Sequence, residues 1–334
     1  MLARCLFFLL WCSLLSVGLC FLGFGLTYLI QGDRIAIGLV KAWIFDFDGV
    51  IVGALGYGLM LFVRSAGRTV LGQLDQLLIL PDELKPGLVA AQHRAISWWW
   101  ANLIAVPTTL IGAGILWNCG YPLTGFAQVY LAVCSSSIYY VATNILAHFL
   151  FTLAMFNRLE AASDSGVDLG FHAAGPRTQI RIETIDFFFV LTSTMGIFAI
   201  YAGFRGTLTA NFENTPEIFR DLLILPLILY LPATLCYSLY PRYVLRKIAE
   251  RETIRRIEET LGPVELPTAK DVEASLKLRK LVLEVREGML REHRAPPLLG
   301  LKDAPSLTLS LVILVQFIWH SDKIVSDFLS RFLH

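Results

Sequence analysis

Six apolar stretches, each long enough to cross a bilayer as a helix, divide most of this chain. They run approximately over Leu6–Ile30, Trp43–Val63, Ala95–Trp117, Leu123–Phe156, Thr184–Ala202 and Leu222–Tyr240. About 20 apolar residues suffice to cover the roughly 30 Å of hydrocarbon in a membrane. Every backbone N–H and C=O inside that hydrocarbon must be paired within the protein, so such runs read as helices. No Asp, Glu, Lys or Arg lies near the middle of any of them. Hydrophobic residues make up 55% of the 334 and charged residues 16%, against roughly 25% charged in soluble proteins. Mean hydropathy is +0.61. The fold class expected is all-α, a polytopic helical membrane protein. A net charge of +1 gives no reason to expect a nucleic-acid partner.

Charge bias orients the chain. The first run follows Arg4, exceeds the roughly 7–15 residues of a signal-peptide core and has no A-x-A-like site after it, so it reads as a retained span. The fourth run covers 34 residues, enough for one tilted helix or two short pieces. With one helix there and the N-terminus inside, the inner segments hold 22 Lys and Arg and the outer ones 4. Enrichment of basic residues on the cytoplasmic side is the general rule. Two spans would instead push the 14 basic residues of 241–305 outside. One long helix is therefore expected, its inner end protruding. The N-terminus and 241–305 become cytoplasmic, and the location a plasma membrane, with a bacterial inner membrane favoured.

Three segments lie outside the expected spans. Residues 68–80 place Val70, Leu74, Leu77 and Leu78 at helical spacing opposite Gln73, Asp75 and Gln76, the pattern of an amphipathic surface helix. Residues 241–305 read as a cytoplasmic helical hairpin. Its second arm carries Leu278, Val282, Val285 and Met289 on one face, a candidate docking surface. Two isolated amphipathic helices bury little by themselves. Their partner would be the protruding fourth helix, a second copy or another protein subunit. Residues 306–334, with an apolar run of only 13 (Leu307–Trp319), read as an interfacial or re-entrant segment, with strand and helix both open for the start of it.

Local motifs narrow the function. Ile44–Phe45–Asp46–Phe47–Asp48–Gly49–Val50 resembles the first motif of haloacid-dehalogenase-like phosphatases, where an apolar strand delivers D-x-D-G. That resemblance would make Asp46 a nucleophile and Asp48 a general acid/base, with Mg²⁺ between carboxylates. It covers about 10 residues of 334, and no soluble segment is long enough for the doubly wound α/β domain the family requires. The competing reading places both carboxylates in the first turns of the second span, where the helix dipole favours them. Gly49, Gly53 and Gly56 give that span a smooth face for helix packing.

The fourth run carries Ser137, Tyr140, Asn144 and His148, the last three spaced by four residues on one face. Polar groups in hydrocarbon turn inward. They either hydrogen-bond across helices, with Asn102 among the candidates, or line a water path. Six cysteines without C-x-x-C spacing suit packing, and no metal site or cofactor is expected. No H-E-x-x-H, P-loop or G-x-G-x-x-G fingerprint occurs. The function expected is non-enzymatic: a membrane-anchored interaction, scaffold or signalling subunit working through the hairpin. Its partners would be the bilayer and another subunit or itself. The alternative is a cation-preferring channel-like pore, gated by the hairpin, along the polar stripe.

Overall fold

The computed structural model describes residues 2–41, 47–119, 124–165, 170–171, 176–209, 217–261 and 303–315, with residues 277, 280–281 and 284–285 placed as helix between the last two segments. Described helices are α1 (Leu2–Gln31), α2 (Asp33–Lys41), α3 (Phe47–Gly72), α4 (Leu74–Leu77), α5 (Lys85–Ile96), α6 (Trp98–Cys119), α7 (Phe126–Asp164), α8 (Pro176–Thr209), α9 (Glu217–Leu261) and α10 (Ala304–Val315). Two strands, β1 (Leu78–Ile79) and β2 (Gly170–Phe171), pair antiparallel with Leu78 opposite Phe171. Among the described residues the protein is nearly all helical. Three helices are long and apolar enough to cross a membrane: α1, α7 and the Ile182–Gly203 part of α8. Helices α3, α6 and α9 carry the other three apolar runs.

Helix α3 packs against both α1 and α8, while α7 packs against α5, α6 and α9. The stretch between the first two runs is not all loop. Gly32, at φ +87°, ends α1 in a conformation that costs glycine nothing, and α2 starts at once, burying Ala36. The fourth run is one continuous helix, α7, which extends to Asp164. Its first turn is capped from another helix. Gln31 at the end of α1 accepts from the Ala127 N–H at 2.8 Å and donates to Thr124 O at 3.0 Å, satisfying groups that a helix start leaves orphaned.

The main core is not at mid-bundle. It gathers at the end where Arg64, α5 and the last turns of α7 meet, and includes Phe62, Leu71, Phe156, Phe188, Phe189 and Leu245. Residues 68–80 join this core and so do not form one exposed amphipathic helix. Helix α3 runs on to Gly72, α4 and β1 follow, and Val70, Leu74, Leu77 and Leu78 are all buried. The apolar stripe is real, but protein covers it, because α3 continues unbroken beside α5 and α8.

The boundary drawn at residue 241 falls inside α9, which runs through Pro226, Pro232 and Pro241 without a break. Each proline removes one backbone hydrogen bond. Past Pro241 the helix is held by burial of Val244, Leu245 and Ile248. A polar seam onto the protruding end of α7 adds to this. Lys247 Nζ reaches Glu160 at 2.8 Å and Asp164 at 2.9 Å, Arg251 reaches Asp164 at 2.8 Å, and Tyr240 donates to Glu160 at 2.7 Å. The first arm of the expected hairpin thus has its partner within the chain. Hydrogen bonds to Asp164 and Glu160 raise the Lys247 ammonium above its ordinary value. A raised folded-state value means that the Lys247 side of this seam contributes fully below about pH 10, while Glu160 and Asp164, held below their ordinary values by the same bonds, contribute fully only above about pH 4. The seam is lost as the pH rises beyond the first limit or falls through the depressed carboxylate values, so thermal stability around neutral pH should not depend on Lys247 titration, a point a melting series against pH would check.

Helix α10 is helical throughout its described length and lies against the bundle. Arg242 of α9, buried, pairs with Asp186 of α8 and with Asp303 beside the start of α10, the latter through Nη1 at 2.6 Å and Nη2 at 3.2 Å. Ile313 packs with Ile197, Ile200 and Leu231. Asp303 therefore sits level with Asp186, and Ile313 level with Ile197 to Ile200, so α10 runs beside α8 in the same direction. The rest of the expected tail segment, 316–334, lies outside the described residues. Arg242→Ala removes the cation between two carboxylates. It should cost about 3–5 kcal/mol and release α10, read as a lower unfolding midpoint with faster protease cleavage near residue 303.

Candidate functional site

Three side chains of α7 organise a polar cluster inside the bundle. Tyr140, Asn144 and His148 recur every four residues and so share a face, which meets α3, α5, α6 and α9. Asn102 Oδ1 of α6 accepts from Tyr140 Oη at 2.7 Å and from Asn144 Nδ2 at 3.1 Å. Asn144 Oδ1 accepts from Arg64 Nη2 at 2.7 Å. Asn144 and His148 are wholly buried, and Arg64 nearly so.

Arg64 is held by the C-terminus of α5. Its Nη1 donates to Ala95 O at 3.1 Å, a carbonyl of the last turn of α5 that a helix end leaves without an intrahelical partner, and to Ser97 O at 3.2 Å, which also accepts from the Ala101 N–H at 3.4 Å. The negative end of the helix dipole favours a cation there. The Trp98 ring lies 5.2 Å from the guanidinium carbon, a cation–π contact. His148 uses both ring nitrogens. Nδ1 lies 2.7 Å from Ala95 O and Nε2 3.0 Å from Tyr237 Oη. A carbonyl can only accept, so Nδ1 carries the proton, and in the neutral ring Nε2 accepts from the tyrosine. Tyr237 is itself fully buried and stacks on Phe149 at 4.0 Å. The arrangement positions helices: Tyr140, Asn144 and His148 each meet a partner from another element, while the hydroxyl of Thr152, one turn further along the face, is buried without a hydrogen-bond partner among the described residues.

Ser137 stands apart from the cluster. Its hydroxyl donates to Cys134 O at 2.7 Å. Of the glycines in the second run, Gly53 faces Ser16 of α1 and Gly56 faces Val141 of α7, each so close that an added Cβ would lie 3.0 Å and 3.3 Å away respectively. Gly49 lies in the first turn of α3. Gly18 and Gly25 of α1 face open space, while Gly23 is covered by the Tyr130 ring. Of the expected docking face, Val285 is helical and exposed, and Leu278, Val282 and Met289 lie outside the described residues. Asp46 lies outside them too. Phe47–Asp48–Gly49 open a 26-residue helix, whereas the phosphatase motif needs them at a strand end. Among the described residues no group of three His, Cys, Asp or Glu could hold a metal.

No family model, curated protein or solved structure matches this chain. The cluster therefore stands on its own geometry. Sequence reasoning found its α7 face but missed Arg64 and Tyr237. It placed Arg64 in a loop one residue past a span. The signal lay in Val70 and Leu74 beyond it, which continue the α3 stripe and carry Arg64 into protein. Asn144→Ala takes away the charge-assisted bond to Arg64 and should lower stability by about 1.5–3 kcal/mol. Tyr237→Phe, which removes one neutral hydrogen bond, should cost about 1 kcal/mol. Unfolding midpoints in detergent would rank the two.

Proposed function

We propose that this is a non-enzymatic, multi-pass integral membrane protein that acts as an interaction or signalling subunit through its basic, cytoplasmic end. In this reading six helices, α1, α3, α6, α7, α8 and α9, span a bacterial inner membrane with the N-terminus inside. Trp98, Trp99 and Trp100 are exposed at the start of α6, with Arg94 against the Trp100 ring at 5.4 Å. Aromatic residues favour the membrane–water interface, which supports placing the inner boundary there. Everything past Arg64 on α3 and past Tyr240 on α9 then projects into the cytoplasm.

One observation carries the docking reading. The apolar face of α9 is covered by protein through Ile248, but beyond it Ile254 is 38% exposed, and Leu281 and Val285 are 58% and 40% exposed. We take another protein subunit as the occupant of the distal hairpin. The pore reading loses its main support, since Tyr140, Asn144 and His148 hydrogen-bond across helices. Replacing Ile254, Leu281 and Val285 together with Glu should leave the melting temperature unchanged while abolishing co-purification of a stoichiometric second protein. A native complex of unchanged mass and composition would sink the docking reading.

A further inference from the structure

A second feature, away from the polar cluster, has the chemistry of a binding site. Between α3, α7, α8 and α9 lies a cavity of about 80 Å³, bounded by Gly53, Gly56, Val141, Ala142, Ala199 and Tyr230 and open along one side. Its walls are almost entirely carbon. The few hydroxyls on them are engaged elsewhere: Tyr57 with Ser137, Tyr230 with Thr143 at 3.4 Å, and Thr234 with Tyr230 O at 2.8 Å. A buried water needs two to four polar partners, so a cavity of this character stays dry and takes apolar guests.

We propose that this cavity holds part of one acyl chain of a bilayer phospholipid. Two of its walls, α7 and the Ile182–Gly203 part of α8, are membrane-length apolar helices. The wall residues Gly56, Tyr57, Ile138 and Ala142 are only partly buried, so the opening reaches the bundle's surface, which in the membrane reading is hydrocarbon. The size suits a chain and not a whole ligand. The cavity is about half the roughly 150 Å³ that accommodates benzene, room for a few methylenes of a chain whose remainder stays in the bilayer. Small residues create the space and a larger side chain would occupy it. A free fatty acid is the weaker candidate, because nothing in the cavity would receive its carboxylate.

The inference rests on the membrane reading but not on partner docking. The full-length protein would be reconstituted in vesicles containing a phosphatidylethanolamine with a diazirine on its acyl chain, irradiated, digested and mapped by mass spectrometry. Adducts are expected on the peptides holding Val141–Ile145 or Gly196–Ile200, besides those on the exposed face of α1. Ala142→Phe with Ala199→Phe should abolish the cavity adducts and keep the α1 adducts, which report that the protein is inserted. If the double variant does not fold, the single Ala199→Leu variant should weaken the same adducts. Labelling confined to α1 and α6 in the parent protein overturns the proposal, as does labelling of the cavity by a diazirine fatty acid but not by the phospholipid. An unlabelled α1 overturns the membrane reading along with it.

Discussion

A buried guanidinium held by carbonyl oxygens is the constraint around which this bundle closes. Removing a cation from water costs several kcal/mol unless partners replace the lost hydration. Arg64 finds those partners in Ala95, Ser97 and Asn144. None of them is near it in sequence. Meeting that demand fixes the end of α5 against α3 and the start of α6 under the guanidinium through Trp98. It also sets the rotation of α7, because Asn144 must face Arg64. His148, one turn further along α7, shares the Ala95 carbonyl and passes the constraint on to α9 through Tyr237. Five helices, α3, α5, α6, α7 and α9, and one turn are thereby held in register by polar groups whose geometry admits little slippage.

Hydrophobic burial is distributed to match. The Arg64 end carries the aromatic cluster of Phe62, Phe149, Phe156, Phe188 and Phe189, packed with ring centroids 5.7 Å apart for Phe62–Phe188 and for Phe156–Phe189. At the other extreme, the apolar window of α1 is only 11% buried. In water that exposure would drive association. Against lipid tails it costs nothing, since tails and leucines are equally apolar and helix association rests on close packing. Gly53 and Gly56 supply that close packing, bringing α3 against Ser16 and Val141.

Much of this was legible in the sequence, because it depends on periodicity and length. The apolar runs and the shared polar face of Tyr140, Asn144 and His148 follow from length and spacing, and the single long fourth helix from the distribution of Lys and Arg on either side of it. What escaped depends on tertiary context. Arg64 looks like a loop cation because hydropathy ends a span at Val63, and only the continuation of α3 to Gly72 carries it into protein. Residues 68–80 look amphipathic whether the apolar side meets lipid or α5 and α7. Pro241 looks like a boundary, yet burial of Val244, Leu245 and Ile248 outweighs one missing hydrogen bond. Arg242 and Asp303, 61 residues apart, form a pair that no local pattern announces.

That last pair has a consequence in time. Arg242 leaves the ribosome after Asp186 but well before Asp303, and at about 5–20 residues per second the wait is roughly 3–12 s. During that interval the ends of α8 and α9 that carry Asp186 and Arg242 can meet as a single ion pair, with the second carboxylate yet to be made. The arrival of α10 brings the acceptors for Nη1 and Nη2 of that guanidinium and places Ile313 against Ile197 and Ile200. The closing stroke of assembly thus completes the coordination of a guanidinium already paired with Asp186, and a chain cut short before it would lack the two-pronged bond to Asp303.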